Sequence, residues 1–547
     1  MAKMTFEELD RLREEQRERM AKTSWIRIGT STCGVAAGAE AVVRAVSDEV
    51  RRRDLPVEVQ RVGCLGLCYA EPLMEVNVAG APRTLYGEVG VETALRIVEE
   101  HVVNGRPVAG LAMPGVESLG VPDVPSNGSK QVRVVLRNCG MLDPTKIEDA
   151  IGRDGYQGLK RALAELGPEG VIAEMKASGL RGRGGAGYPT WLKWKFLREA
   201  PGTEKYMICN ADEGDPGAYM DRGVLEGDPH AVIEGMLIAC FATGCSTGYF
   251  YIRAEYPLAI DRIEGALRQA RRMGLLGKNI MGTDFCCDLE VRLGAGAFVC
   301  GEETALMHSI EGRRGTPRPR PPFPAQHGLW GKPTNINNVE TFANIGPIVA
   351  RGGAWFGSYG TETSRGTKVF AVTGKVRHSG LVEIPMGTTL REVVVDICGG
   401  VAGNHRIKAV QTGGPSGGVI PAPLLDTPIS YETLQALGSI MGSGGMIVMD
   451  ETDSMIDIAL FYTGFCVDES CGKCAPCRLG GKQMHLLLEK IRSGKATWSD
   501  IGTIRRLCTA MQKASLCGLG QTAPNPVLST LRYFEDEYRA AIAGASA

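Results

Sequence analysis

The chain has no run of roughly 18 apolar residues, so no segment reads as a helix able to cross a bilayer. Its opening stretch, Met1 to Lys22, is charged throughout and lacks the apolar core of a secretory leader. The formal net charge is −1, which leaves no basic field to attract nucleic acid or an acidic membrane surface. There is no internal repeat and no low-complexity tract. The cysteine total is odd, 17, and with no leader this argues against a disulfide framework and for a reducing compartment. The expected location is the cytoplasm, or the cytoplasmic face of a membrane reached through partners.

What is present points elsewhere. At 547 residues the chain is too long for one core. Hydrophobic content of 44% and charged content of 22% are those of a globular protein. The 72 glycines are clustered, as backbone-lined ligand loops require. An exposed helix is expected over 1–23. A small α/β unit follows over 24–113, with strands at Trp25–Ile28, Val57–Val62 and Leu73–Val78 and a closing helix at Val91–Val103. A Pro/Gly/Ser-rich linker is expected over 114–130. Val132–Leu136 restarts ordered structure, and alternating strands and helices imply a larger α/β domain over 131–365. A short β-rich unit over 366–445 contains the turn Gly413-Gly-Pro-Ser-Gly-Gly418. From 446 to 547 the pattern is helical.

The helical segment carries Cys471, Cys474 and Cys477 two residues apart, with Cys517 downstream, a C-x2-C-x2-C-x39-C set. Soft thiolates in that number select zinc or an iron–sulfur cluster. Zinc sites usually come as two separated C-x2-C hairpins. Three cysteines in one run with a distant fourth favour iron–sulfur, because the run wraps one side of a cube and the fourth closes it. Zinc and plain structural thiols remain alternatives. Cys466 and Cys508 lie nearby, and Cys508, in a helical stretch, reads as core. Arg478 adds a positive charge that raises a cluster's potential.

Upstream, Gly182-Arg-Gly-Gly-Ala-Gly187 matches G-x-G-x-x-G, including Gly182, Arg183, Gly184 and Gly185. A helix-like stretch, Pro168–Ser178, precedes it where the dinucleotide fingerprint needs a strand. It is either a tight turn or a loop whose N–H groups approach a phosphate or flat ring, with Lys193 on the next helix as a point charge. Cys209-Asn-Ala-Asp-Glu-Gly-Asp-Pro-Gly217 offers Asn210, Asp212 and Glu213 as acceptors, or is an Asx-rich turn. In Gly294-Ala-Gly-Ala-Phe-Val-Cys-Gly-Glu-Glu-Thr-Ala305, Glu302 and Glu303 open a helix, where its dipole alone favours acidic residues. Arg318-Pro-Arg-Pro-Pro-Phe-Pro-Ala325 is polyproline-like. Thr334-Asn-Ile-Asn-Asn-Val-Glu-Thr341 reads by itself as an Asn-rich turn.

Together with Ser470-Cys-Gly-Lys-Cys-Ala-Pro-Cys-Arg478 and Ser515-Leu-Cys-Gly-Leu-Gly-Gln521, these strings resemble the NADH-oxidising flavoprotein subunit of respiratory complex I. They equally resemble its relatives in NAD-linked, electron-bifurcating hydrogenases and formate dehydrogenases, over about Leu136 to Phe534. The resemblance implies an α/β multidomain protein. Its parts are a Rossmann-like FMN- and NAD(H)-binding domain, a small β-grasp domain of the soluble-ligand-binding type, and a C-terminal helical bundle with Cys471, Cys474, Cys477 and Cys517 on a [4Fe-4S] cluster. It places FMN beside Gly182, Arg183, Gly184, Gly185, Lys193, Asn210, Asp212, Glu213, Phe298, Gly301, Glu302, Glu303, Ile336, Asn337 and Asn338. It places the nicotinamide nucleotide beside Tyr188, Phe196, Asp215, Arg320 and Phe323, and puts Glu302 and Glu303 next to the reacting rings. The chain has Asp215 where the family has Glu, Arg320 where it has Lys, and Tyr188 where many members have Phe. The implied activity is hydride transfer between NAD(H) and FMN, then single-electron transfer to the cluster, within a larger complex. The implied partners are other redox subunits: a thioredoxin-like [2Fe-2S] subunit and an iron–sulfur subunit of a hydrogenase, formate dehydrogenase or complex I, with ferredoxin as a further candidate. The competing readings are a scaffold with a dead flavin site and a zinc-stabilised interaction protein.

In the first unit Cys33, Cys64 and Cys68 form C-x30-C-x3-C, either a partial metal site or buried thiols. Val62-Gly-Cys-Leu-Gly-Leu-Cys-Tyr-Ala-Glu-Pro-Leu73 resembles the thioredoxin-like [2Fe-2S] domain of the complex I partner subunit, which uses C-x4-C…C-x3-C. The first ligand of that pattern falls at Ile28. Either Ser31, Thr32 or another group completes the set, or the domain serves as an adaptor without a cluster.

Overall fold

The computed structural model describes residues 4–113 and 130–543; all of the expected linker except Lys130 lies outside the described residues. A helix, Phe6–Lys22, comes first. Thr5 Oγ1 accepts the Glu8 N–H at 3.2 Å and the Glu8 carboxylate accepts the Thr5 N–H at 2.9 Å, a capping box that fixes where the helix starts. The helix is not free in solvent. Leu9 is fully buried in the core of the large α/β unit, and Arg19 reaches the Asp149 carboxylate at 2.7 Å. Burying one leucine contributes ~1.5–3 kcal/mol, more than a half-exposed ion pair, so Leu9 does most of the docking.

The first sheet has the order β2-β1-β3-β4-β5: β1 (Trp25–Gly29), β2 (Glu58–Val62), β3 (Met74–Asn77), β4 (Thr84–Tyr86) and β5 (Ala112–Met113). β1 and β2 are parallel and the rest antiparallel. The helix Ala39–Arg52 covers it through Val42, Val43, Val46 and Val50, an apolar stripe at helical spacing. The short strands β4 and β5 carry too little alternation to be read from sequence.

The second sheet is fully parallel, in the order β8-β7-β6-β9: β6 (Tyr206–Ala211), β7 (Thr247–Arg253), β8 (Asp288–Gly294) and β9 (Thr334–Asn338). The helices Pro229–Thr243 and Val339–Arg351, each buried along almost its whole length, pack against it. Open parallel sheets bind ligands beyond the carboxyl ends of their strands. Here those ends lead into residues 211–219, 294–303 and 338–341.

The third sheet, β11-β10-β14-β12-β13, is mixed: β10 (Thr367–Gly374), β11 (Gly380–Pro385), β12 (Ile407–Thr412), β13 (Gly418–Pro421) and β14 (Gly445–Asp450). β14 lies between β10 and β12, so this unit runs to Asp450 and the boundary expected at 445 falls at the start of its central strand. The missed strand, Gly-Met-Ile-Val-Met-Asp, is a short apolar run that periodicity alone cannot separate from the helix after it. A buried ion pair, Lys368 Nζ to Glu340 at 2.5 Å, fastens β10 to the helix that follows β9. Val132–Leu136 forms no strand. The buried Glu383 carboxylate of β11 instead accepts the N–H groups of Val135 and Leu136 at 2.9–3.0 Å. The C-terminal unit consists of helices Met455–Asp468, Gly481–Arg492, Trp498–Ala514, Asn525–Tyr533 and Glu535–Ala543 around a common core. No helix among the described residues is long and apolar enough to cross a membrane.

Candidate functional site

Residues 182–187 link the helices Gly167–Ser178 and Thr190–Glu199 with no strand leading in, so the loop is not a dinucleotide fingerprint. Its arms are held antiparallel by Gly182 N–H to Tyr188 C=O at 2.8 Å and Thr190 N–H to Leu180 C=O at 3.0 Å. Gly187 has φ +63°, and a Cβ there would lie 2.5 Å from the Tyr431 ring; a Cβ on Gly184 would lie 3.0 Å from Asn338 Cβ. The loop is therefore a cradle that only glycine backbone can form. Arg183 does not face a ligand. Its guanidinium is fully buried and donates to the carbonyls of Thr367, Arg181 and Arg365 at 2.7–3.0 Å, and its backbone N–H donates to Thr341 Oγ1 at 2.9 Å, so neither is left for an anion.

On the next helix, Lys193 Nζ donates to Ile336 C=O at 2.6 Å and lies 3.5 Å from Glu303. Trp194 Nε1 donates to Asn337 Oδ1 at 3.0 Å. Arg320 pairs with Glu303 at 2.6 Å. Burial alone would raise the Glu303 carboxyl, but Lys193 and Arg320 outweigh it and hold it below its ordinary value. Glu303 is thus an ionised carboxylate between two cations. Glu302 is the N-cap of the helix Glu303–Ile310, its carboxylate accepting the Thr304 and Ala305 N–H groups at 2.9 and 3.0 Å. The capping reading of Glu302 is therefore the geometry found.

Beyond β6, Asn210 Nδ2 donates to Gly301 C=O at 2.9 Å and ties two of the expected loops together. Asp212 is the outstanding group. It is buried, both carboxylate oxygens lack a hydrogen-bond partner, and burial pushes its carboxyl up to about 7. A buried acceptor left unpaired costs ~1–3 kcal/mol; the opposing charge beside it, Arg253, also has an unpartnered Nη1 and does not bond to it. Three other expected contacts serve the fold. Glu213 accepts the N–H groups of Asp221 and Arg222 at the start of the helix Met220–Gly227. Asn338 caps the helix after β9 and donates to Asp221 at 2.8 Å. Asp215 accepts the Gly217 N–H at 2.9 Å through Oδ1 and lies against Gly414 and Gly445 of the third unit, its Oδ2 without a partner. The rings of Tyr188, Phe196 and Phe323 are each about half exposed.

The C-terminal cysteines adjoin these loops. Phe298 N–H donates to the Glu469 carboxylate at 3.0 Å, and its ring meets Phe465 edge-on at 5.3 Å. Arg314 reaches Cys471 C=O at 3.1 Å, and Lys473 reaches Pro317 C=O at 2.5 Å. Cys471 packs against the apolar cluster that includes Val299, Cys300 and Leu306. Burial pushes the Cys517 thiol up to about 11. A Cβ on Gly520 would lie 2.9 Å from Cys477 Cβ, so the Cys517 segment closes tightly on the run. Three cysteines in one run and a fourth on the segment that closes against it fit a [4Fe-4S] cluster.

Residues 175–347 match the family described as the Nuo51 FMN-binding domain, and residues 457–541 match the NADH-ubiquinone oxidoreductase-F iron-sulfur binding region. The NADP-reducing hydrogenase subunit HndC of Solidesulfovibrio fructosivorans is 55% identical over 75% of this chain and 84% of its own length. The F component of the NADH-quinone oxidoreductase of Aquifex aeolicus is 44% identical over 72% of this chain and 90% of its own length. The chain belongs to the NADH-quinone oxidoreductase-F family. A crystal structure of an NAD+-reducing [NiFe]-hydrogenase in the H2-reduced state superposes with a TM-score of 0.67 at 29% identity, covering 98% of this chain and 90% of that one.

The first unit of this oxidoreductase-F family member brings Cys33, Cys64 and Cys68 within 4.8 Å of one another. It offers no fourth thiol. Ile28 is fully buried in β1, the Ser31 hydroxyl accepts the Cys64 N–H at 3.0 Å, and the Thr32 hydroxyl donates to Glu226. A [2Fe-2S] cluster takes two ligands on each iron, and the three thiols supply only three of those four. The sequence reading missed Tyr431, whose hydroxyl donates to Gly182 C=O at 2.8 Å, and Asp221, on which Asn338 and the Glu340 N–H converge. No spacing signal marks either, because each meets partners distant in the chain, Tyr431 from another unit and Asp221 from over a hundred residues away in the same one.

Proposed function

We propose that the space beyond the carboxyl ends of β6, β8 and β9 holds FMN, with the nicotinamide nucleotide laid over Tyr188, Phe196 and Phe323. The chain is an NAD(H)-linked flavoprotein subunit of a larger redox complex, with FMN and a [4Fe-4S] cluster as its cofactors. The observation that carries the residue assignment is the unpartnered Asp212 carboxylate, buried where the three expected loops meet. When bound, FMN exchanges hydride with NAD(H) and the cluster takes single electrons from it. The chain's part is position and charge. The glycine cradle offers N–H groups to an anion, Lys193 adds a cation, and Asp212 accepts from the ligand. Glu303, Lys193 and Arg320 form one charged network reaching the open face where the nucleotide would lie. Phe298, bonded to Glu469, fixes the cysteine run against the flavin loop.

The first sheet fits a thioredoxin-like unit and the third a β-grasp unit. The cytoplasm, with redox subunits of a hydrogenase, formate dehydrogenase or complex I type as partners, is the setting this reading requires. The test is spectroscopic. The purified chain should carry flavin absorbance that bleaches on adding NADH. A chain that takes up no FMN would instead be a scaffold.

A further inference from the structure

Cys33 lies in the short helix Thr32–Ala36, and Cys64 and Cys68 lie on the loop between β2 and β3. Cys64 Sγ and Cys68 Sγ are 3.8 Å apart, and Cys33 Sγ is within 4.8 Å of both. A further donor stands against Cys33, though its carboxylate does not lie within 4.8 Å of all three sulfurs, so a four-ligand site needs Glu71 to turn toward the ion. Glu71 is buried, with one carboxylate oxygen 3.7 Å from Cys33 Sγ and the other accepting the Leu73 N–H at 2.9 Å. The carboxylate has glycine on two sides: a Cβ on Gly29 or on Gly34 would come within 3.0 Å of it. Two thiolates ~2.3 Å from one tetrahedral ion stand ~3.8 Å apart, and a thiolate and a carboxylate oxygen on that ion ~3.6 Å apart. Ligands on opposite irons of a [2Fe-2S] cluster stand further apart than that, because the iron–iron separation adds to the span.

We propose that Cys33, Cys64, Cys68 and Glu71 form a closed tetrahedral site for a single zinc-type divalent ion in place of a [2Fe-2S] cluster. Three thiolates and a carboxylate suit zinc, which imposes no redox change and takes S and O ligands in structural sites. The surroundings orient the ligands as an outer shell does. Gly66 N–H donates to Cys64 Sγ at 3.2 Å, and the Thr32 N–H donates at 2.8 Å to Glu226 of the large unit, fixing the helix that carries Cys33. Gly63 packs against the Gly227 backbone, and Tyr69 N–H donates to Ser379 C=O of the third unit at 3.2 Å. The ion would thus tie together a loop on which three units converge.

The test is elemental analysis of the full chain with its C-terminal cluster loaded. Zinc, iron and acid-labile sulfide are measured per chain for the wild type, Cys64→Ser and Glu71→Gln. The expected result is a single zinc beside the iron and sulfide of one [4Fe-4S] cluster. Zinc should be lost in Cys64→Ser with iron unchanged, and held roughly tenfold or more weakly in Glu71→Gln. Cobalt(II) added to the zinc-stripped chain should give the visible bands of a tetrahedral thiolate site. Iron and sulfide beyond one cubane with a [2Fe-2S] spectrum, a wild type without zinc, or zinc unaffected by Glu71→Gln would each overturn the proposal. The wild-type count and the isosteric Glu71→Gln decide it even if Cys64→Ser does not fold.

Discussion

The two cysteine sets of this chain differ in how their thiols are held. At the C-terminus, Cys471 and Cys474 are half-buried on a loop, Cys477 lies in the helical stretch Pro476–Gly480, and Cys517 precedes a short helix whose Gly520 packs on Cys477. No three of these thiols lie within 4.8 Å of one another. Near the N-terminus Cys33, Cys64 and Cys68 crowd within 4.8 Å, and the buried Glu71 carboxylate lies 3.7 Å from Cys33 Sγ. Thiol spacing decides nuclearity: four separated sulfurs enclose a cube, and three crowded ones enclose an ion. The sets also differ in what they adjoin. The first abuts the flavin loop through Phe298 and Glu469, and the second is walled in by Glu226 and the third unit.

The sharpest way to break this contrast is Cys477→Ala. Cluster iron and sulfide should fall to background, and NADH-driven reduction of a one-electron acceptor should drop by orders of magnitude while NADH still bleaches the flavin. If bleaching is lost as well, the cysteine run is not a separate electron exit.

Asp212→Ala comes next. Removing an acceptor that would form a charge-assisted bond of ~1.5–3 kcal/mol should weaken FMN roughly 10–150-fold, read by flavin fluorescence on titration. The same residue gives a pH signature in the flavin-free chain. Its folded value of about 7 lies above the unfolded value of ~3.9. The folded state therefore holds the proton more tightly, and this contribution to stability is full below pH ~4 and is lost as pH rises to about 7. Asp212→Asn should remove it, so the mutant's melting temperature should gain on the wild type from pH 5 to pH 8. A constant offset would show that Asp212 is not buried as described.

Arg320→Ala should raise KM for NADH roughly tenfold, the value of one charge-assisted bond of ~1.5 kcal/mol, with little change in kcat. Phe323→Ala should have the smallest effect. Loss of one stacking face is worth ~0.5–1.5 kcal/mol, or about 2–10-fold in KM. If neither variant moves KM, the nucleotide does not lie on this exposed face.

The glycine cradle, the loops after β6 and β8, and the four C-terminal cysteines were all legible in the sequence, because each is a contiguous string whose chemistry depends on local spacing. The roles within those strings were less legible. Arg183, Glu213, Glu302 and Asn338 stand in ligand-like motifs, yet their side chains carry carbonyls, helix N-termini and caps. A string shows which groups are near the site but not which way they turn, since orphan N–H groups at a helix start compete for the same carboxylates. Asp215 was read as facing a nucleotide and is instead covered by the third unit.

Sequence alone determined the classes of chemistry: thiolate metal binding, an anion cradle in glycine, no bilayer-spanning helix, and a chain of several units. These follow from residue type and short-range spacing. Tertiary structure decided what depends on residues far apart in the chain. It aligned the carboxyl ends of four parallel strands so that three loops share one space, and it left Asp212 buried without a partner there. It inserted β14 into the middle of a sheet begun at β10, and it brought Glu71 against Cys33. Each of these is a through-space pairing between segments whose order is set by packing, and packing is a property of the folded chain rather than of any one stretch of it.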